Sequence, residues 1–135
     1  MAVAQDILRK EDDGSITFGN HTLSEKTKVE DFEYQGSMLK VKTYATMTKL
    51  EKNGMFVYES EPGTSVNHFV EDTRGVHFTV EAAADAQITV GLEEGAEYEV
   101  FLDGFGVGKM KTNMSGKLSV SVECGGKPVD VKITR

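Results

Sequence analysis

The sequence predicts an all-β protein, and three observations carry that prediction. Thirteen short stretches of alternating apolar and polar residues run almost end to end, the pattern of strands with one wet and one dry face. Gly, Asn and Asp turn clusters separate them. No amphipathic stretch is long enough to be the crossover helix of a parallel sheet; Ala82-Ala83-Ala84 is too short. Such spacing reads as an antiparallel β-sandwich, immunoglobulin-like or jelly-roll, preceded by N-terminal β-hairpins.

The first element is open between two conformations. Within residues 2–11, Ala4, Ile7 and Leu8 have helical spacing among residues that favour helix. Ile7 to Glu11 also meets Ser15 to Phe18 across Asp12-Asp13-Gly14, a good hairpin loop, and the hairpin is the favoured reading. Lys28 to Tyr34 then turns through Gln35-Gly36-Ser37 into Met38 to Tyr44, where Leu39, Val41 and Thr43 alternate with Lys40 and Lys42. Thr46 to Lys52 reaches Met55 to Glu59 through Asn53-Gly54, the strongest short hairpin signal, because both central residues of a type I′ turn need positive φ.

Glu61-Pro62-Gly63-Thr64 is the clearest connection between larger units. Beyond it, Val66 to Val70 and Val76 to Val80 flank Glu71 to Gly75. Ala86 to Leu92, Glu97 to Leu102, Val107 to Lys111, Lys117 to Glu123 and Val129 to Thr134 follow in regular succession. A soft boundary at residues 52–54 divides an N-terminal hairpin lobe, 1–52, from a C-terminal sandwich, 53–135, whose sheets the first hairpins either extend or leave as a smaller lobe. No internal repeat is evident.

The chain has 135 residues, 39% apolar and 27% charged, ordinary values for a single folded domain. A chain of this size buries roughly two thirds of its unfolded surface. Only Pro62 and Pro128 lack a backbone donor, so most of the chain is free to join sheet ladders. The net charge of −7 repels phosphate backbones and argues against nucleic acid as a partner. The densest basic stretches, Lys40 with Lys42 and Lys109 with Lys111, are pairs on one strand face, the pattern of a solvated surface. No apolar run approaches membrane-spanning length. Met1 to Asp6 has neither the basic nor the apolar part of a secretory signal, so a cytoplasmic location is expected. Cys124, the single cysteine, has no disulfide mate, and its neighbour Glu123 disfavours a reactive thiolate.

The chemistry-bearing residues are sparse. Gly104-Phe105-Gly106-Val107-Gly108-Lys109 invites comparison with a phosphate-binding loop, but only three residues separate Gly104 from Gly108-Lys109 and Met110 follows. The Walker pattern needs four, then Ser or Thr; a hairpin, with pairing resuming near Val107, is the better reading. His21, His68 and His77 are the available histidines. If Val70 pairs with Val76, His68 and His77 point to opposite faces; a one-residue slip sets them side by side. Without further ligands at metal spacing nearby, no metal and no cofactor is expected. Glu93, Glu94, Glu97, Glu99 and Asp103 cluster, yet Glu97 and Glu99 alternate with Tyr98 and Val100 as a solvated strand face does. No Gly-x-Ser-x-Gly elbow is present, although a Ser–His–Asp triad forms only in the fold.

Aromatic residues are the better lead. Tyr34, Tyr44, Tyr58, Tyr98 and Phe105 lie near strand ends or turns, where a ring can stack on a sugar or anchor a protein interface. Phe105 at a hairpin tip is the most unusual, and it is joined by Tyr58, Tyr34 and Tyr44 as the expected contact residues.

Phe18 to Lys28 and Lys49 to Ser60 resemble a group of small proteins from gut clostridia that carry the label endosialidase. The likeness continues through Asp103-Gly104 and Lys111-Thr112 to Ser115 to Ser119, and so spans most of the chain. The resemblance implies a bacterial protein and an association with glycans. Sialidases typically grip the substrate carboxylate with three arginines, whereas this chain has only Arg9, Arg74 and Arg135 in all. The Asp-box Ser-x-Asp-x-Gly-x-Thr-Trp has only a loose echo in Asp12 to Phe18, with Lys10 where Ser stands in the motif. A propeller cannot be built from this length.

The expectation is a non-catalytic binding or self-association module, whose partner is another copy, another protein or a glycan. The alternative is a small glycan-acting hydrolase with acid and base among Glu93, Glu97, Glu99 and Asp103.

Overall fold

The computed structural model describes residues 7–135; the part of the first-element question that concerns residues 2–6 lies outside them. Thirteen strands form among the described residues: β1 (Leu8–Lys10), β2 (Ile16–Phe18), β3 (Thr27–Tyr34), β4 (Ser37–Thr43), β5 (Thr48–Lys52), β6 (Met55–Glu61), β7 (Ser65–Asp72), β8 (Gly75–Glu81), β9 (Ala86–Gly91), β10 (Glu97–Leu102), β11 (Phe105–Lys111), β12 (Lys117–Val122) and β13 (Val129–Thr134). They make two antiparallel sheets packed as a sandwich, one of seven strands in the order β1-β2-β7-β8-β13-β10-β11 and one of six in the order β12-β9-β6-β5-β4-β3. No helix among the described residues is long and apolar enough to cross a membrane.

Local chemistry explains the pairing. Ile7 to Phe18 forms the hairpin, with Leu8 opposite Phe18 and Lys10 opposite Ile16. Asn53 and Gly54 both take positive φ, 52° and 78°, which lets the chain reverse in two residues between β5 and β6. Along β4 the alternation holds: Leu39, Val41 and Thr43 are buried while Lys40 and Lys42 face outward. The first hairpin extends the seven-stranded sheet through β2 and β7, and β3 to β5 extend the six-stranded sheet through β5 and β6.

The core fills the space between the sheets. Phe18, Tyr58, Phe69 and Phe78 meet there, with Phe18 edge-on to Tyr58 at 5.2 Å and to Phe69 at 5.6 Å, and Tyr58 edge-on to Phe78 at 5.6 Å, the T-shaped geometry that ring quadrupoles favour. A hydroxyl network lies beside them. Thr64 Oγ1 is 2.7 Å from Tyr58 Oη and 2.9 Å from Ser60 Oγ, and Thr48 Oγ1 accepts from Thr64 N–H at 3.0 Å while meeting Thr43 Oγ1 at 2.7 Å. Every buried side-chain polar atom among the described residues has a partner, so the polar groups are buried without a desolvation debt.

Two flanks close the sandwich differently. On one, the Tyr34 hydroxyl of β3 donates to the Gly14 carbonyl of the β1–β2 turn. On the other, β11 ends the seven-stranded sheet and β12 ends the six-stranded one. These two strands are consecutive, joined by residues 112–116.

Candidate functional site

The predicted contact residues separate sharply. Phe105 begins β11 and is 75% exposed. Pairing resumes at once after Asp103-Gly104, with Leu102 opposite Phe105, rather than near Val107 as expected. Both turn residues take positive φ, 51° and 83°, so a two-residue turn suffices. Tyr58 is the opposite case and corrects the expectation: it is 0% exposed, held in the core by its ring contacts and its hydroxyl network, and burial pushes its phenol far up. It offers no surface. Tyr34 is half-buried, with its phenol also raised by burial. Tyr44 is half-buried, with Lys26 Nζ 5.9 Å from the ring centroid.

Around Phe105 lies a feature that sequence reading missed. All seven residues of β11 are exposed, with Val107 at 56% and Met110 at 38%, and Met114 just beyond at 91%. The register shifts within β11, between the residues paired with Val100 and Phe101. This bulge breaks the alternation and leaves Val107 outside the ladder. The signal available in the sequence was the Gly106-x-Gly108 spacing, which marks a strand with little to pack against.

The acidic cluster does not converge. Glu97 and Glu99 rise from β10 two residues apart, opposite Lys111 and Lys109. They line a shallow depression of about 410 Å3 on the outer face, together with Phe101, Lys109, Lys132 and Arg135. Glu93 accepts from Arg135, and Asp103 Oδ1 accepts from Asp130 N–H at 2.9 Å. Glu97 and Glu99 stand in solvent, whereas a general acid needs an apolar pocket to keep its proton.

The histidines go to separate partners. A bulge lies between Asn67 and Val70, so Val70 sits opposite His77 instead of Val76; the flat register that was expected is not formed, because His68 takes φ 54° at the bulge. His77 Nε2 is 2.8 Å from Asp130 Oδ1, and His21 Nδ1 is 2.7 Å from Ser65 Oγ. Among the described residues no three His, Cys, Asp or Glu side chains are placed to hold a metal ion.

One constellation has catalytic composition but not catalytic geometry. Ser15 Oγ lies 3.1 Å from His68 Nδ1, and Asp13 Oδ2 lies 3.2 Å from the same nitrogen. A relay needs the serine on one ring nitrogen and the carboxylate on the other. Here Ser15 donates its hydroxyl proton to Asp13 directly and is fully buried. The group instead caps the first hairpin, where Thr17 donates to Glu11 and Arg9 Nε donates to the same carboxylate oxygen at 3.1 Å.

This cap has a pH signature. Hydrogen bonding from Thr17 first, and then the charge of Arg9, hold Glu11 below its ordinary value despite some burial. Ser15, through its hydroxyl and its N–H, does the same to Asp13. Groups lowered on folding contribute stability above the unfolded carboxylate range and lose it as pH falls through their folded values. Acidification below about pH 4 is therefore expected to loosen the β1–β2 hairpin. Chemical-shift titration of both carboxyls, with amide protection of Ser15 and Thr17, checks this; midpoints at or above ordinary values contradict it.

Cys124 is buried, and burial, with Asp85 and Glu81 adding to it, pushes its thiol up, the reverse of what a nucleophile needs. Fold and surface together define an all-β sandwich with four exposed apolar residues, Phe105, Val107, Met110 and Met114, on or just beyond one edge strand, while Met38, Met55 and Val70 are exposed singly elsewhere. No family model matches the chain, nor does any curated protein or solved structure.

Proposed function

We propose that the protein is a non-catalytic β-sandwich that works by association, through the flank formed by β11 and β12. The observation that carries this reading is β11 itself, an edge strand exposed along all seven residues and bearing Phe105, Val107 and Met110. Exposed apolar side chains on an open edge are what strand addition and surface docking use. The dispersal of the carboxylates and the serine–histidine geometry support the same reading against hydrolysis. The partner belongs to one of three kinds: a second copy, another protein or a glycan.

The test compares the wild type with a triple variant, Phe105→Ser, Val107→Ser and Met110→Ser, by light scattering over a concentration series and on a glycan array. The expected result is self-association or glycan retention by the wild type and its loss in the triple variant, with the far-ultraviolet spectrum unchanged. A triple variant that keeps the wild type's self-association or glycan retention overturns the proposal, and a wild type that stays monomeric and leaves the array blank removes the second copy and the glycan as partners.

A further inference from the structure

Four strands end the two sheets: β1, β11, β12 and β3. Edge strands invite pairing, and natural sheets blunt them by shortness, bulges and charge. β1 is three residues long. β3 has a register shift between Val29 and Phe32, with Asp31 at φ 58°, and carries Lys28, Glu30, Asp31 and Glu33. β11 has its own register shift and Lys109 and Lys111. β12 has only one of these defences, the charge of Lys117 at its start. Its six residues pair with β9 without interruption, and its outward side chains after Lys117 are Ser119 and Ser121.

The free backbone groups on β12 can be assigned. Leu92 N–H donates to Gly116 C=O at 2.7 Å, while Gly116 N–H donates to Asn113 C=O at 3.0 Å; the Gly116 carbonyl and, by alternation, the N–H and C=O of Leu118, Val120 and Val122 therefore turn toward β9. Lys117, Ser119 and Ser121 turn theirs to the open edge. Lys117 is already engaged there: its N–H donates to Asn113 Oδ1 at 3.0 Å, and its C=O accepts from Asn113 N–H at 3.0 Å. The open edge therefore presents the N–H and C=O of Ser119 and Ser121.

We infer that this edge pairs with the same edge of a second copy of the chain, antiparallel about a two-fold axis at Val120, so that Lys117 of each copy faces Glu123 of the other. The inference rests on the association reading and names its partner. In this register Ser119 lies opposite the partner's Ser121, and each presented N–H and C=O finds a mate across the axis. Leu118 falls opposite the partner's Val122, and Val120 opposite the partner's Val120, so the apolar face continues through the junction. Lys117 meets the partner's Glu123 on the outer face. Its ammonium rests over the Phe56 ring at 4.5 Å in the single chain, an exposed contact that its flexible stem can exchange for a carboxylate.

Other registers fit worse. A slip of one residue sets apolar side chains opposite polar ones. A slip of two in either direction separates Lys117 from Glu123. The pairing joins two six-stranded sheets into one and sets the two β11 strands on the same face of it, across the axis from each other, where Phe105, Val107 and Met110 can add apolar contact.

Sedimentation and light scattering of the whole chain test the register. Lys117→Glu sets like charges opposite each other twice per dimer, and Glu123→Lys does the same; each is expected to weaken the dimer by roughly tenfold in Kd. The double variant Lys117→Glu with Glu123→Lys restores the pairs and is expected to return the wild-type constant. Ser119→Pro removes a donor that points to the open edge, leaving the β9 ladder intact, and is expected to give a monomer with a wild-type far-ultraviolet spectrum. A monomeric wild type, or a dimer indifferent to all four variants, overturns the inference. If such a dimer dissociates with the β11 triple variant, the association reading stands while this register falls.

Discussion

Phe18→Ala is expected to destabilise the protein by about 3–5 kcal/mol. Phe18 is fully buried on β2 and meets the rings of Tyr58 and Phe69 edge-on. Tyr58 belongs to the opposite sheet, so the ring bridges the two layers. Its removal takes away apolar burial and leaves a cavity that neighbouring backbone ladders cannot collapse to fill. Losses of this size are a large fraction of the stability of a domain of this length. Denaturant melts of the variant and wild type, compared at equal slope, measure the effect. A loss below about 1 kcal/mol contradicts the packing described, since full ring deletions in dense cores cost several times that.

Gly63→Ala is expected to prevent folding or to lower stability by on the order of 4 kcal/mol or more, the range reserved for steric conflicts in the backbone and core. Gly63 lies between β6 and β7, where the chain leaves one sheet for the other. Its N–H donates to Ala45 C=O at 2.9 Å, and a Cβ at this position meets Tyr44 O at 1.8 Å. The obstacle is a peptide group, not a side chain that can rotate away. Gly54→Ala provides the contrast: an added Cβ meets nothing within 4 Å, although φ is 78°. Its cost is conformational strain alone, of order 1 kcal/mol. Comparable losses at both positions contradict the close approach at Gly63.

The strands were legible because period-two alternation is a local property. Asn53-Gly54 announced its turn for the same reason, since a positive φ is a demand on single residues; at Asp103-Gly104 the hairpin was legible but its two-residue length was not, because the glycines beyond it read as more turn. The bulges were not legible. His68 and Asp31 take left-handed φ without being glycine, and only the partner strand makes that conformation worthwhile. Once β7 slips by one residue, Val70 leaves the face of Val76 and joins His77 on the outer one. Tyr58 shows the other limit. Its position near a turn suggested exposure, but burial depends on which strand of the opposite sheet lies over it, and no sequence spacing records that. Phe105 was legible because an apolar ring next to Gly104 and Gly106 has no strand-face neighbour to justify it. Val107 and Met110 fall on different parities of the same strand, which only the bulge reconciles.

The place of β13 in its sheet bears on how the chain folds during synthesis. This strand lies between β8 and β10, so the β10–β11 hairpin has no strand to join it to the rest of its sheet until residues 129–134 emerge from the ribosome. The six-stranded layer, complete at Val122, is ready earlier; β1, β2, β7 and β8 are already made, and the part of its apolar side that waits uncovered is the part left to β13 and the β10–β11 hairpin. That interval exposes the nascent chain to holdase chaperones, and slowing translation beyond residue 122 is expected to lengthen it.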